Sequence, residues 1–144
     1  MRLYLVHFLF IAGIIAPVVP TRFYISGTVS CQSSPPWCYT IQLLELDSNF
    51  NDVITSVSGC ELTNPNQKFS FEGWQPWDGL FDWHFELELL IKHDCGLEIT
   101  DEKQSMRLSF GQFYRVKHTF KKEVNIDLSK NTTEVIVTPT KSWE

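Results

Sequence analysis

Along residues 23–31 apolar and polar positions alternate. Phe23, Ile25, Gly27, Val29 and Cys31 fall on one side, and Tyr24, Ser26, Thr28 and Ser30 on the other. A period of two sends one face of a strand to a core and the other to water. The same reading predicts seven more strands. Residues 39–47 carry Tyr39, Ile41 and Leu43 on one face, with Leu44 and Leu46 on the other. Apolar residues on both faces predict a strand covered on both sides, or a contact between two copies. Residues 53–58 form a short third strand. Residues 68–73 form a fourth, with Phe69 and Phe71 facing one way. The most regular is 85–93, where Phe85, Leu87, Leu89, Ile91 and His93 line one face and Glu86, Glu88 and Lys92 point away. Residues 105–110 form a sixth strand of weaker pattern. Residues 123–128 form a seventh, with Val124, Ile126 and Leu128 inward, and 134–138 an eighth.

Turn chemistry separates these runs. Ser33-Ser34-Pro35-Pro36 cannot continue a ladder, because consecutive prolines lack the donors, and Thr63-Asn64-Pro65-Asn66 is a turn cluster. No stretch keeps a helical period. Seven or eight short strands between turns predict an all-β, two-sheet sandwich.

The first twenty residues set the compartment. Arg2 precedes an apolar run from Leu3 to Val19 interrupted only by His7, which is the pattern of a secretion signal. Pro17 and Pro20 break it as a helix, and no basic cluster follows to anchor it. The expected organisation is a leader over residues 1–21, a sandwich domain over 22–138 and a loose tail over 139–144. Cleavage after Ala16, where Pro17 would hinder the peptidase, and cleavage after Thr21 both remain open. The product is secreted and has no integral membrane anchor. About 125 residues remain, enough for one domain with a real core.

Export changes the reading of the cysteines. Cys31, Cys38, Cys60 and Cys95 all follow the leader, and an even number in an exported chain predicts two disulfides. The favoured pairing is Cys31–Cys38 with Cys60–Cys95, because the first would close a short loop; Cys31–Cys95 is its rival. No CxxC spacing points to zinc. Asn131-Thr132-Thr133 is the one N-glycosylation sequon.

Charge excludes some partners. The chain carries 12 basic and 17 acidic residues, for a net charge of −5, and losing Arg2 makes it one unit more negative. That balance argues against nucleic acid, whose phosphates demand a positive surface. The one dense basic stretch holds Arg115, Lys117, His118, Lys121 and Lys122. It reads either as a contact for anionic surfaces or as a solvated loop between strands.

Candidate chemistry is sparse. His93-Asp94-Cys95 suggests a thiolate activated by an imidazole, but an exported cysteine is normally oxidised. The expectation is a strand-end histidine satisfied by hydrogen bonds beside a structural disulfide. His84 and His93 fall on opposite faces of one strand, so no metal or cofactor site is assigned. The most distinctive feature is aromatic. Trp74, Trp77, Phe81 and Trp83 lie within ten residues that also contain Pro76, Asp78, Gly79 and Asp82. Those interrupters predict a loop. Its rings either form a contact surface or fold back over an open sheet edge.

Five stretches, in order, carry a resemblance. They are Ile25-Ser26-Gly27-Thr28-Val29-Ser30-Cys31, Ile41-Gln42-Leu43-Leu44-Glu45-Leu46-Asp47, Lys68-Phe69-Ser70-Phe71-Glu72-Gly73, Leu87 through His93-Asp94-Cys95, and Glu123-Val124-Asn125-Ile126-Asp127-Leu128. Together they resemble the nematode transthyretin-like family of secreted proteins. The resemblance implies an extracellular transthyretin-like sandwich and little about activity, since a shared fold does not transmit a function. No cysteine follows Cys95 where the family usually has one, so its disulfide pairing does not transfer. The wider superfamily contains hydrolases acting on hydroxyisourate, which share a C-terminal Tyr-Arg-Gly-Ser. Here the only Tyr-Arg pair, Tyr114-Arg115, is followed by Val116 and Lys117, so no catalytic residue is assigned.

These readings predict a secreted, non-enzymatic binding protein. Its expected partner is an extracellular or cell-surface protein, met through Trp74, Trp77, Phe81 and Trp83. The alternative is a carrier of a lipid or small hydrophobic ligand, as the resemblance to transthyretin suggests.

Overall fold

In the computed structural model, residues 19–33, 36–47, 51–76, 84–96, 103–114, 117–130 and 132–136 are described. They form eight strands: β1 (Thr21–Ser30), β2 (Trp37–Glu45), β3 (Asp52–Glu61), β4 (Asn66–Gln75), β5 (His84–His93), β6 (Gln104–Tyr114), β7 (Thr119–Asp127) and β8 (Thr132–Ile136). All eight expected strands are present, in order. Most run longer than their apolar cores suggested, because polar residues at the ends complete the ladders. Among the described residues no helix is long and apolar enough to cross a membrane.

Two four-stranded sheets face each other, ordered β4-β1-β7-β8 and β3-β2-β5-β6. β1 is the strand that organises the first sheet. It pairs antiparallel with β4, Thr21 opposite Gln75, and parallel with β7, Arg22 opposite Thr119. A parallel pair requires a long crossover. Here the intervening chain supplies β4 and the whole of the second sheet. Gly27 allows the close approach within this seam, since a Cβ there would lie 1.8 Å from the Val124 carbonyl oxygen.

The core lies between the sheets. From β1 come Phe23, Ile25 and Val29; from β2, Trp37, Tyr39, Ile41 and Leu43; from β5, Phe85, Leu87, Leu89 and Ile91; from β7, Phe120, Val124 and Ile126. Phe23 meets Phe85 edge-on with centroids 5.3 Å apart, and Phe120 at 6.1 Å. β6 explains its own weak pattern. A bulge opposite Leu87 and Glu88, with Gly111 at φ 70°, inserts one residue and reverses the alternation. Leu108 and Phe110 before it and Phe113 after it therefore all pack toward the core. On β2, Leu44 faces away from this core yet is only 4% exposed. Cys38, Thr40 and Gln42 on that outward face are only partly buried, so the outer side of β2 is closed at this end and not along its length.

The disulfides correct one expectation. Cys31 is bonded to Cys95, and Cys38 to Cys60; the favoured Cys31–Cys38 and Cys60–Cys95 pairs do not form. Strand register explains why. Cys38 stands directly opposite Cys60 on adjacent strands, with Cα atoms 4.0 Å apart. Alternation turns Cys38 to the outer face of its sheet, whereas Cys31 is buried between the sheets. Cys31 follows the last residue of β1, and Cys95 lies just past β5. Their bond, with Cα atoms 5.8 Å apart, ties one sheet to the other.

Non-reducing peptide mapping should recover Cys31–Cys95 and Cys38–Cys60; a Cys31–Cys38 peptide would contradict this topology. Replacing a bonded pair with alanines should cost about 2–5 kcal/mol in denaturant unfolding. Sequence separations of 64 and 22 residues make loss of the Cys31–Cys95 pair the more costly, by about 1 kcal/mol in chain entropy.

Candidate binding surface

β4 alternates as well as β1 does. Phe69, Phe71 and Gly73 turn inward, while Lys68, Ser70, Glu72 and Trp74 turn out. Register then assembles two rows across the outer face. Trp74 stands beside Arg22 and, one strand further, Thr119. Glu72 stands beside Tyr24 and then Lys121. Two segments far apart in sequence, the end of β4 and the start of β7, are thereby joined through β1.

Trp74 is 67% exposed. Its ring is a shared wall of two shallow clefts. One, of about 420 Å³, is lined by Pro20, Arg22, Tyr24, Glu72, Gly73 and Trp74. The other, of about 430 Å³, lies toward β3 and includes Val53, Ile54 and Pro76. A further cleft beside the first, of about 440 Å³, reaches from Tyr24 and Glu72 to Lys121. Arg22 is pushed above its ordinary value first by a hydrogen bond with Tyr24, and more weakly by the charge of Glu72. Arg22, Tyr24 and Glu72 thus lie together along one cleft.

The expected contact residues are distributed unevenly over this surface. Trp74 belongs to β4, not to a loop, and does not fold back over the sheet edge. Pairing with Arg22 holds its backbone extended, one strand position beyond the element predicted from the apolar pattern. Trp77, Phe81 and Trp83 lie outside the described residues, as do Arg115 and Asn131. The basic stretch does not act as one patch. Lys117 is exposed in a short turn, and Lys121 is exposed on the outer face. Lys122 points to the opposite side, its Nζ 5.8 Å from the Phe120 ring centroid. Arg22, Tyr24 and Glu72 were not singled out from the sequence. The available signal was their outward place in two alternating strands, which reads equally well as plain solvent exposure.

Other polar groups among the described residues sit at strand ends or within the core. Cys95 is oxidised, so no thiolate is offered to His93. The Asp94 carboxylate accepts a hydrogen bond from the Cys38 backbone N–H at 2.5 Å, and the Asp94 N–H donates to the Cys38 carbonyl at 3.2 Å. Together they close the end of the β2–β5 ladder. His93 is fully buried, and the expected hydrogen bonds to it are missing: neither ring nitrogen meets a protein partner among the described residues. The ring was carried into the core by the inward register of β5. His84 lies on the other face of β5 against Tyr114, with ring centroids 4.3 Å apart. Glu45, Asp47 and Asp52 bring one carboxylate oxygen each within 4.8 Å of one another near the β2–β3 turn. Two of these residues are exposed, and exposed acidic groups commonly cluster without a cation.

Comparison with known proteins adds a family. Residues 26–135 match the family described as "Caenorhabditis elegans protein of unknown function (DUF870)". The uncharacterized protein B0416.7 of Caenorhabditis elegans is 38% identical over 74 residues, covering 51% of this chain and 55% of the relative. The chain thus spans about half the length of this curated relative. No solved structure matches.

Burial of His93 sets the sign of one acid response. Desolvation lowers its pKa below the ordinary 6.5, and Asp94 opposes this only in part. The unfolded chain therefore binds the extra proton first. Stability is full above pH 6.5 and falls as the pH drops from there toward the lowered folded value. His93→Leu should flatten this part of the stability profile in denaturant titrations across the window. An unchanged slope in a folded variant would place the acid response elsewhere.

Proposed function

The chain belongs to this Caenorhabditis elegans family, and from that premise we propose that it is an exported, non-enzymatic binding domain with a transthyretin-like sandwich. Its partner is an extracellular or cell-surface molecule, met at the surface around Trp74. The exposed Trp74 ring carries this reading. A large ring two-thirds in water, walled by clefts on both sides, is costly to display and concentrates contact energy when covered. Val53, 54% exposed, extends the apolar margin toward β3.

Export rests on the leader and is supported by the two disulfides, which persist in oxidising compartments. An N-glycan on Asn131 belongs to the same reading. Two facing four-stranded sheets with a parallel seam support the transthyretin-like assignment. β1 also bears on processing. Thr21 is only 2% exposed and pairs with Gln75, so cleavage after Ala16 retains it whereas cleavage after Thr21 removes it.

N-terminal sequencing of secreted protein should accordingly find Thr21 retained; a start at Arg22 would show that the first pair of the β1–β4 ladder is dispensable. Trp74→Ala should weaken capture of partners from extracellular extract by more than about 1 kcal/mol, with unfolding unchanged. Capture at wild-type strength by a folded variant would refute the assignment of this surface.

A further inference from the structure

We propose that the cleft beside Trp74 binds a neutral saccharide, with the indole as a stacking platform and Arg22, Tyr24 and Glu72 as partners for hydroxyl groups. The proposal rests on the reading of this surface as the contact site and names the chemistry it recognises.

Hydrogen-bonding inventory separates the ligand classes. Arg22 only donates, the Glu72 carboxylate only accepts, and the Tyr24 hydroxyl does both. Opposite charges thus stand side by side in one small cleft. A phosphate or sulfate accepts only, and Glu72 would repel it. An organic cation would meet Arg22. A vicinal diol donates and accepts at once, so it satisfies Arg22 and Glu72 together without a net charge. All three groups stand on paired strands, whose register fixes their spacing before a ligand arrives.

Shape favours the same class. The cleft, about 420 Å³, is within the range of small-molecule sites, about 300–1,000 Å³, but it is shallow and flanked by a flat sheet face. The electron-rich face of an indole attracts the weakly positive C–H groups on one side of a pyranose ring. Around Trp74 the outer face continues with Ser26, Ser70 and Thr119, which offer more hydroxyls. A stable protein interface buries about 1,200–2,000 Å² around a mostly apolar centre, and an acyl chain needs an apolar lining. Among the described residues Trp74, with Val53 toward β3, is too small an apolar area for either.

The test uses the secreted, disulfide-intact chain on a printed array of neutral, sialylated and sulfated oligosaccharides. The expected result is binding to neutral members that persists in about 0.5 M sodium chloride, because no charge pairing holds them. Trp74→Ala should weaken titrated binding about tenfold or more, while Trp74→Tyr keeps most of it. Glu72→Gln, on the exposed face, should also weaken it in a folded protein. Binding confined to sulfated or sialylated members, binding indifferent to Trp74→Ala, or no binding at all would overturn the proposal. Enzymatic deglycosylation of extracellular extract separates the two levels. Capture that is lost with the glycans supports the saccharide. Capture that survives deglycosylation yet still requires Trp74 removes the saccharide and keeps the contact surface.

Discussion

β1 is hydrogen-bonded along both edges, antiparallel to β4 and parallel to β7, and the rest of the molecule is arranged around that double pairing. Its inward residues fill the centre of the core. Its outward residues connect two strands that are remote in sequence. The pairing tolerates little change, because the seam is so close at Gly27 that a methyl group would collide with the Val124 carbonyl. A substitution there forces β7 away and separates Lys121 from Tyr24 without touching either. The surface is therefore a consequence of backbone contact in the sheet, and only secondarily of its own side chains.

The two ends of β1 have different roles. Beyond its last residue, Cys31 crosses to Cys95 and locks the sheets together, with His93 buried two residues before Cys95. At its first residues, Arg22 and Tyr24 lie beside Trp74 and Glu72. Nine steps of an extended chain, about 30 Å, separate Arg22 from Cys31. The covalent anchor is thus as far from the exposed ring as this strand allows. The second bond, Cys38–Cys60, reinforces the outer sheet at the same locked end, where Asp94 also fastens Cys38.

Local patterning was legible in the sequence, and long-range pairing was not. Alternation identified all eight strands and the inward faces of β1, β5 and β7, because burial on one face is written residue by residue. The disulfide partners depend on which strands neighbour each other, so loop length misled. The β2–β3 hairpin, with Cys38 and Cys60 placed opposite, held the better clue. Trp74 was read as part of a loop because Pro76, Asp78, Gly79 and Asp82 after it dominate that stretch, yet pairing with β1 carries the strand past it. Arg22 was invisible as a site residue: pairing with β4 brings it beside Trp74, and the parallel seam with β7 brings it beside the strand that bears Lys121. His93 reads as a polar end to a strand, but the inward register places it in the core.

The account depends on β1 lying between β4 and β7, and backbone NOE spectroscopy of the isotopically labelled, secreted chain tests that position most directly. Tyr24 is predicted to show cross-strand contacts to Glu72 on one side and to Lys121 on the other. Contacts on one side alone, or to a strand of the second sheet, would contradict it.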